Sequence, residues 1–238
     1  MRGWWREISG LVLPVACGGC GRSRTALCEE CAGALHGAAA RRVRPDPEPV
    51  GLPVVHAAAG YEDAVRAVLL GHKERGALGL AGALGRALAG AVRASAPYAA
   101  GTGPLLLVPV PSARSAVRAR GHDPARRIAL AASAELRRTG SQARVLSVLR
   151  QRRAVADQAG LSARQRLANL SGALEAAAGG VRLLAGGRIV LVDDLMTTGA
   201  SLVEAARAVG EAREFMGGGE LGAAVVAAPV SAFRSFQK

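Results

Sequence analysis

A chain of 238 residues, half of them hydrophobic, can hold one full domain plus a small appendage and has enough apolar material for a real core, so it is expected to fold as a soluble globule. Aromatic residues make up only 3%, which weighs against a surface that stacks single-stranded bases. The formal charge of +13 and a pI near 11.2 suit a polyanionic partner.

The start of the chain, Met1 to Cys17, closes on Leu11 to Cys17 and has the outline of a signal peptide ending at a lipid-modified cysteine. Glu7 and Pro14 interrupt it, and what remains is too short for a signal core or a bilayer span. No other segment offers an uninterrupted run of membrane length, so a cytoplasmic protein without membrane insertion is expected. Next come Cys17-Gly-Gly-Cys20 and Cys28-Glu-Glu-Cys31, which together use all four cysteines of the protein. Two Cys-x-x-Cys pairs can close a tetrahedral sulfur site suited to Zn²⁺. A disulfide reading is disfavoured without an export signal, and a redox pair would need one such motif, not two. Such a site has no open coordination position, so its expected role is structural or adaptor-like.

These observations divide the chain into a four-Cys zinc module at 1–40, a Pro-rich spacer at 41–53 with Pro45, Pro47 and Pro49 at alternate positions, and a main domain at 54–238. Within the main domain Val54 to Ala59 reads as a strand, and Glu62 to about Arg93 as two helical pieces divided near Arg75-Gly76. Leu105 to Val110 is a continuous apolar run bounded by turn residues, hence a buried strand. Pro124 to Arg138 has helical spacing with Gly140 behind it, Arg144 to Leu149 is strand-like, and Ser162 to Leu170 reads as a helix capped by Ser162. Arg188 to Val192 is the clearest strand, followed by a turn, a helix from about Ser201 to Arg213, and a last strand from Leu221 to Ala227. Alternating strands and helices imply parallel pairing through right-handed crossovers, an α/β layered sheet.

The basic excess is uneven. Thirty-one basic residues less Lys73 and Lys238 leave 29 arginines, and thirteen of these lie between Ser112 and Arg166 against three acids, a local excess of ten. Coding bias explains arginine over lysine but not the sign, and the segment either binds a phosphate-bearing ligand or coats a helix face.

The chemistry concentrates at Ile189 to Ser201. An apolar strand ends in Asp193 and Asp194, and the turn after it holds Met196, Thr197, Thr198, Gly199, Ala200 and Ser201 before a helix begins. In an open α/β sheet ligands collect outside the carboxyl ends of strands, where helix N-termini point in. This turn offers backbone N–H groups and three hydroxyls around a glycine, a means of holding a phosphate without lysine. Two adjacent carboxylates repel phosphate but accept hydrogen bonds from ribose hydroxyls or hold Mg²⁺. A bland alternative is that the acids cap the following helix. Val108-Pro-Val-Pro111 followed by Arg114, Arg118 and Arg120 puts guanidinium groups at the end of another buried strand, where they could neutralise a pyrophosphate or simply form a basic loop. Arg153, Gln158, Leu161, Arg164, Arg166 and Asn169 mark a polar, Arg-rich segment that is either a lid or a solvated face.

The run from Ile189 to Ser201 resembles the phosphoribosyl pyrophosphate (PRPP) signature of type I phosphoribosyltransferases. That resemblance implies that Asp193 and Asp194 contact the ribose 2′- and 3′-hydroxyls and that the loop Met196 to Ser201 wraps the 5′-phosphate. With the four-Cys head, Lys73, Pro109-Val-Pro-Ser112, Arg120-Gly121 and Gln158-x-x-Leu-Ser-x-x-x-Arg-x-x-Asn169, nearly the whole chain is similar to the ComF family of competence-associated, phosphoribosyltransferase-like proteins. The family's usual Arg-Gly-Phe-Asn-Gln reads here Arg120-Gly-His122-Asp123-Pro124, and a Thr commonly found three residues before the Gln is Val155, so this chain departs from the pattern on the acceptor side. The resemblance implies a type I phosphoribosyltransferase-like fold and Mg²⁺-dependent pentosyl transfer. In that reaction Asp193 and Asp194 act at the ribose, Lys73, Arg114, Arg118 and Arg120 at the pyrophosphate, and Arg153, Gln158, Arg164 and Asn169 in a lid. It equally admits a non-enzymatic factor in DNA uptake that meets single-stranded DNA or DNA-uptake proteins. The acceptor is not legible, and a homo-oligomer remains open.

Overall fold

The computed structural model describes residues 15–99, 102–155, 160–213 and 220–236. Six strands form one sheet in the order β1-β2-β8-β7-β3-β4, with β1 Arg41–Val43, β2 Val54–Gly60, β3 Leu105–Pro109, β4 Ala143–Val145, β7 Arg188–Leu195 and β8 Gly222–Ala228. Every pairing is parallel except that of β1 with β2. The chain is therefore an α/β protein built on a mostly parallel, mixed sheet flanked by helices, with a four-cysteine cluster near its N-terminus.

Both faces of the sheet are covered, which explains why the strands read as unbroken apolar runs, not alternating ones. Leu105, Leu107, Val190 and Val192 point into a core shared with α1 (Glu29–His36), α2 (Asp63–Glu74), α3 (Ala81–Ser95) and α5 (Pro124–Arg138). Their neighbours Leu106, Val108, Ile189 and Leu191 point the other way, against Leu202, Ala205 and Val209 of α8 (Ala200–Arg213). The first of these cores is built from small residues and allows close helix approach. A Cβ on Gly85 of α3 would lie 2.5 Å from the Ala131 Cβ of α5, so this crossing requires glycine.

The expected helical pair from Glu62 to Arg93 is α2 and α3, separated by Gly76 at φ 68° and a 3₁₀ turn at Leu78–Leu80. Helix α5 starts as its sequence directs, with Pro124 in the first turn and the Asp123 carboxylate accepting from Arg126 N at 3.1 Å. Ser162 caps α6 (Ala163–Leu170) in a reciprocal box with Gln165.

Three expectations are corrected. The spacer at 41–53 is not wholly extended linker, because Arg41–Val43 adds to the sheet edge antiparallel to β2 and Val43 is buried. The strand expected at 144–149 divides into β4, which pairs with β3, and β5 (Leu149–Gln151), which turns away to form a separate hairpin with β6 (Leu174–Ala176). The basic stretch after Pro111 is a short helix, α4 (Arg114–Arg120), closed by Gly121 in the left-handed region. A single turn, α7 (Val181–Leu184), precedes β7. Leu35, at the end of the cysteine-bearing segment, is fully buried in the main core. Among the described residues no helix is long and apolar enough to cross a membrane.

Candidate functional site

The acids at the end of β7 open onto a cavity of about 710 Å³ at the carboxyl ends of β3 and β7. Asp193, Asp194, Leu195, Thr197 and Ser201 form one wall, and Val110 to Ala113 with α4 form the opposite one. The turn itself encloses a small pit of about 20 Å³ ringed by residues from Asp193 to Leu202. Met196 is buried, and its N–H donates to Ala227 O at 3.0 Å, extending the β7–β8 ladder to the start of the turn. Gly199 adopts φ 79°, and a Cβ there would meet Leu52 Cδ1 at 2.9 Å, so both the bend and the close approach of the former spacer call for glycine. Ala200 is buried, Thr198 and Ser201 are half-buried, and Thr197 is exposed.

The two carboxylates differ. Asp194 is buried, and its Oδ2 lies 2.8 Å from Lys73 Nζ at the end of α2. Asp193 is half-buried, and its Oδ1 accepts from Asp194 N at 2.8 Å. Desolvation, with the adjacent Asp194 charge adding to it, pushes the Asp193 carboxyl well above the usual range, partly offset by Lys73. Burial works against the Lys73 ammonium, but the attraction of Asp194 and Asp193 outweighs it and holds the group above its ordinary value.

Of the four basic residues expected at a pyrophosphate end, Lys73 and Arg120 line the cavity. Lys73 is held by Asp194 and Arg120 by a two-pronged pair with Glu74 at 2.9 and 2.7 Å. Arg114 and Arg118 lie on the exposed side of α4; the Arg114 N–H donates to Gln151 Oε1 at 3.2 Å and its guanidinium to Gln151 O at 3.3 Å. His122 contacts Arg120 O and His72 O through its two ring nitrogens and ties this loop to α2.

In the Arg-rich segment, Arg153 donates to Asn169 O at 2.8 Å and Ser171 O at 2.7 Å and so secures the end of α6. Arg164 is exposed on α6, and Gln158 lies outside the described residues. Arg166 reaches the turn after β7, donating to Thr197 Oγ1 at 3.0 Å.

Gln151 and Glu204 are among the cavity residues not singled out from sequence. Gln151 sits on β5, and Glu204 sits on α8, 3% exposed. Glu204 accepts from Gly172 N at 3.1 Å, Leu174 N at 2.8 Å and Arg207, fastening the β5–β6 hairpin to α8. Burial would raise its carboxyl, yet the Arg207 bond and the two backbone donors hold it below the ordinary range. Nothing in sequence separates it from any other helical glutamate, because its two backbone donors lie some thirty residues upstream.

The four cysteine sulfurs lie within 4.8 Å of one another. Cys20 Sγ and Cys28 Sγ are 3.7 Å apart, close to the edge of about 3.8 Å that a tetrahedron with metal–sulfur bonds of about 2.3 Å requires. Cys17 to Cys20 form a tight knuckle whose Gly19 could not carry a side chain, since its Cβ would be 2.6 Å from Cys31 Sγ. Cys28 caps α1, and Cys31 sits in its first turn. Burial pushes the Cys17 thiol up, but the backbone N–H groups of Cys20, Cys28 and Gly19 more than offset this and bring it to about 6. Burial drives Cys31 far above its usual value. The donor set and spacing fit a zinc-like ion.

Comparison of the chain with models of known protein families gives no match, and comparison with curated proteins gives none.

Proposed function

We propose that the chain is a PRPP-binding, type I phosphoribosyltransferase-like protein of the ComF kind, which uses structural zinc in its four-cysteine head and transfers a phosphoribosyl group to an acceptor. One observation carries the reading. The strand that ends in Asp193-Asp194 lies inside the mostly parallel sheet, and both acids share a cavity with Thr197 of the following turn and Ser201 in the first turn of α8. A sugar phosphate is a ligand with hydroxyls at one end and an anion at the other, and this wall offers acceptors and then donors in that order.

In the proposed reaction a nucleophilic atom of the acceptor bonds to the ribose anomeric carbon as the carbon–oxygen bond to pyrophosphate breaks. The electron pair leaves with pyrophosphate, and the proton that the acceptor gives up passes to the departing pyrophosphate. Asp193 and Asp194 orient the ribose and favour positive charge at its ring, the turn holds the 5′-phosphate, and Lys73 and Arg120 face the leaving group. Asp193 and Asp194 would be the residues to hold Mg²⁺, which would neutralise charge on the pyrophosphate. The test is pyrophosphate release from PRPP and Mg²⁺ across a panel of nucleobases and other acceptors. Release with one acceptor supports the enzyme, and a flat response on all of them contradicts turnover.

A second reading, an accessory factor that meets DNA, draws on the exposed Arg114 and Arg118 beside the cavity. It requires DNA affinity that falls steeply with added salt.

A further inference from the structure

We propose that Arg166, from the segment expected to be a lid, supplies the cation for the monophosphate end of the site; this rests on the sugar-phosphate reading above. The turn 195–201 carries no basic residue of its own, so its donors are neutral. Arg166 brings a guanidinium to that turn from α6, with Nη1 3.0 Å from Thr197 Oγ1. Because the Thr197 hydroxyl oxygen accepts from Arg166, its own proton is free to point toward a ligand, and the charge behind it strengthens that donor.

Arg166 is prepared for this role. Its Nε donates to Leu161 O at 3.1 Å, which fixes the stem of the fork. Helix α6 is pinned at its start by the Ser162–Gln165 box and at its end by Arg153 on Asn169 O and Ser171 O. A guanidinium has five N–H donors, and these two bonds leave three of them. Lys73, Arg120, Arg150 and Arg207 each have a carboxylate partner, whereas among the described residues no acid pairs with Arg166. An immobilised cation beside a turn of neutral donors, itself without a counter-ion among the described residues, is matched by a ligand anion. A terminal phosphate, with oxygens for a planar fork and for Thr197 together, is the chemistry that fits.

The inference separates the two ends of the ligand. Ribose 5-phosphate carries only the monophosphate end and pyrophosphate only the other, so each is titrated calorimetrically into the full chain, together with PRPP and Mg²⁺. The parent is expected to bind ribose 5-phosphate. Arg166→Gln, which keeps a neutral donor for Thr197, should weaken ribose 5-phosphate and PRPP by the same factor, about tenfold to a hundredfold, and leave pyrophosphate affinity unchanged. Arg166→Lys should recover part of the loss. Thermal melts and metal content equal to the parent's exclude a folding defect. If Arg166→Gln and Arg166→Lys both bind ribose 5-phosphate as the parent does, the assignment of Arg166 is overturned while the sugar-phosphate reading stands. If the parent itself binds neither ribose 5-phosphate nor PRPP, that reading fails, and this one with it.

Discussion

Lys73 Nζ stands 2.8 Å from Asp194 Oδ2, so the last turn of α2 provides the counter-ion for a buried acid at the end of the central strand β7. Neither residue is near the other in sequence, and the pair leaves the neighbouring Asp193 to bear the unfavourable part of a two-carboxylate site. Desolvation and the Asp194 charge raise its carboxyl well above the ordinary value of 3.8.

Asp193 therefore destabilises the fold at neutral pH. Between the ordinary value and the raised one, the folded chain binds more protons than the unfolded chain, so stability falls as pH rises through that window. Asp193→Asn keeps an oxygen for the Asp194 N–H and removes the charge. It should be more stable than the parent at pH 7 by roughly 0.5–2 kcal/mol, the usual size of a single stabilising substitution, with the advantage closing below about pH 4. Urea unfolding at a series of pH values reads the difference. A variant less stable than the parent at pH 7 would be the wrong sign.

His72 works in the opposite direction. It is fully buried, its ring nitrogens have no hydrogen-bond partner among the described residues, and it meets His122 edge to face at 5.6 Å between centroids. Burial, with His122 and Arg127 adding to it against Asp194, depresses its pKa from 6.5 to about 4. Within that window the unfolded chain binds the extra proton, so stability is lost as pH falls from 6.5 toward 4, by up to about 3 kcal/mol. His72→Leu removes the titration and should flatten the curve over this range. The check is the parent-minus-variant difference in unfolding free energy at pH 7 and pH 4.5, which should shrink on acidification; a constant difference contradicts a neutral buried imidazole.

For the cysteine head we expect one zinc ion per chain prepared under reducing conditions, read by elemental analysis and native mass spectrometry. Cys28→Ser should abolish it, because a structural site needs all four thiolates, and chelation of the parent should lower its melting temperature. A reduced, folded parent with four titratable thiols and no metal would refute the assignment.

Much of this frame is legible in the amino-acid order because it is local. The unbroken apolar runs of β3 and β7, the Asp123-Pro124 and Ser162 helix starts, and the spacing of the cysteines each carry their structural consequence within a few residues. What stayed hidden depends on distant partners. Arg41–Val43 is too short to read as a strand and becomes one only beside β2, while the β5–β6 hairpin joins Leu149 to Ala176 across an intervening helix. At the site, the acids and the turn could be read directly. The Lys73–Asp194 pair, the hold of Glu204 on Gly172 and Leu174, and the reach of Arg166 to Thr197 arise only when α2, α8 and α6 are packed.

Calorimetric titration of PRPP with Mg²⁺ into the parent and into the Asp193→Asn/Asp194→Asn double variant tests the central claim most directly. The parent should bind, and the double variant, folded by its melting curve, should bind at least tenfold more weakly, since ribose hydroxyls lose two charged acceptors. Equal affinity in the two proteins would contradict a sugar-phosphate site at the end of β7.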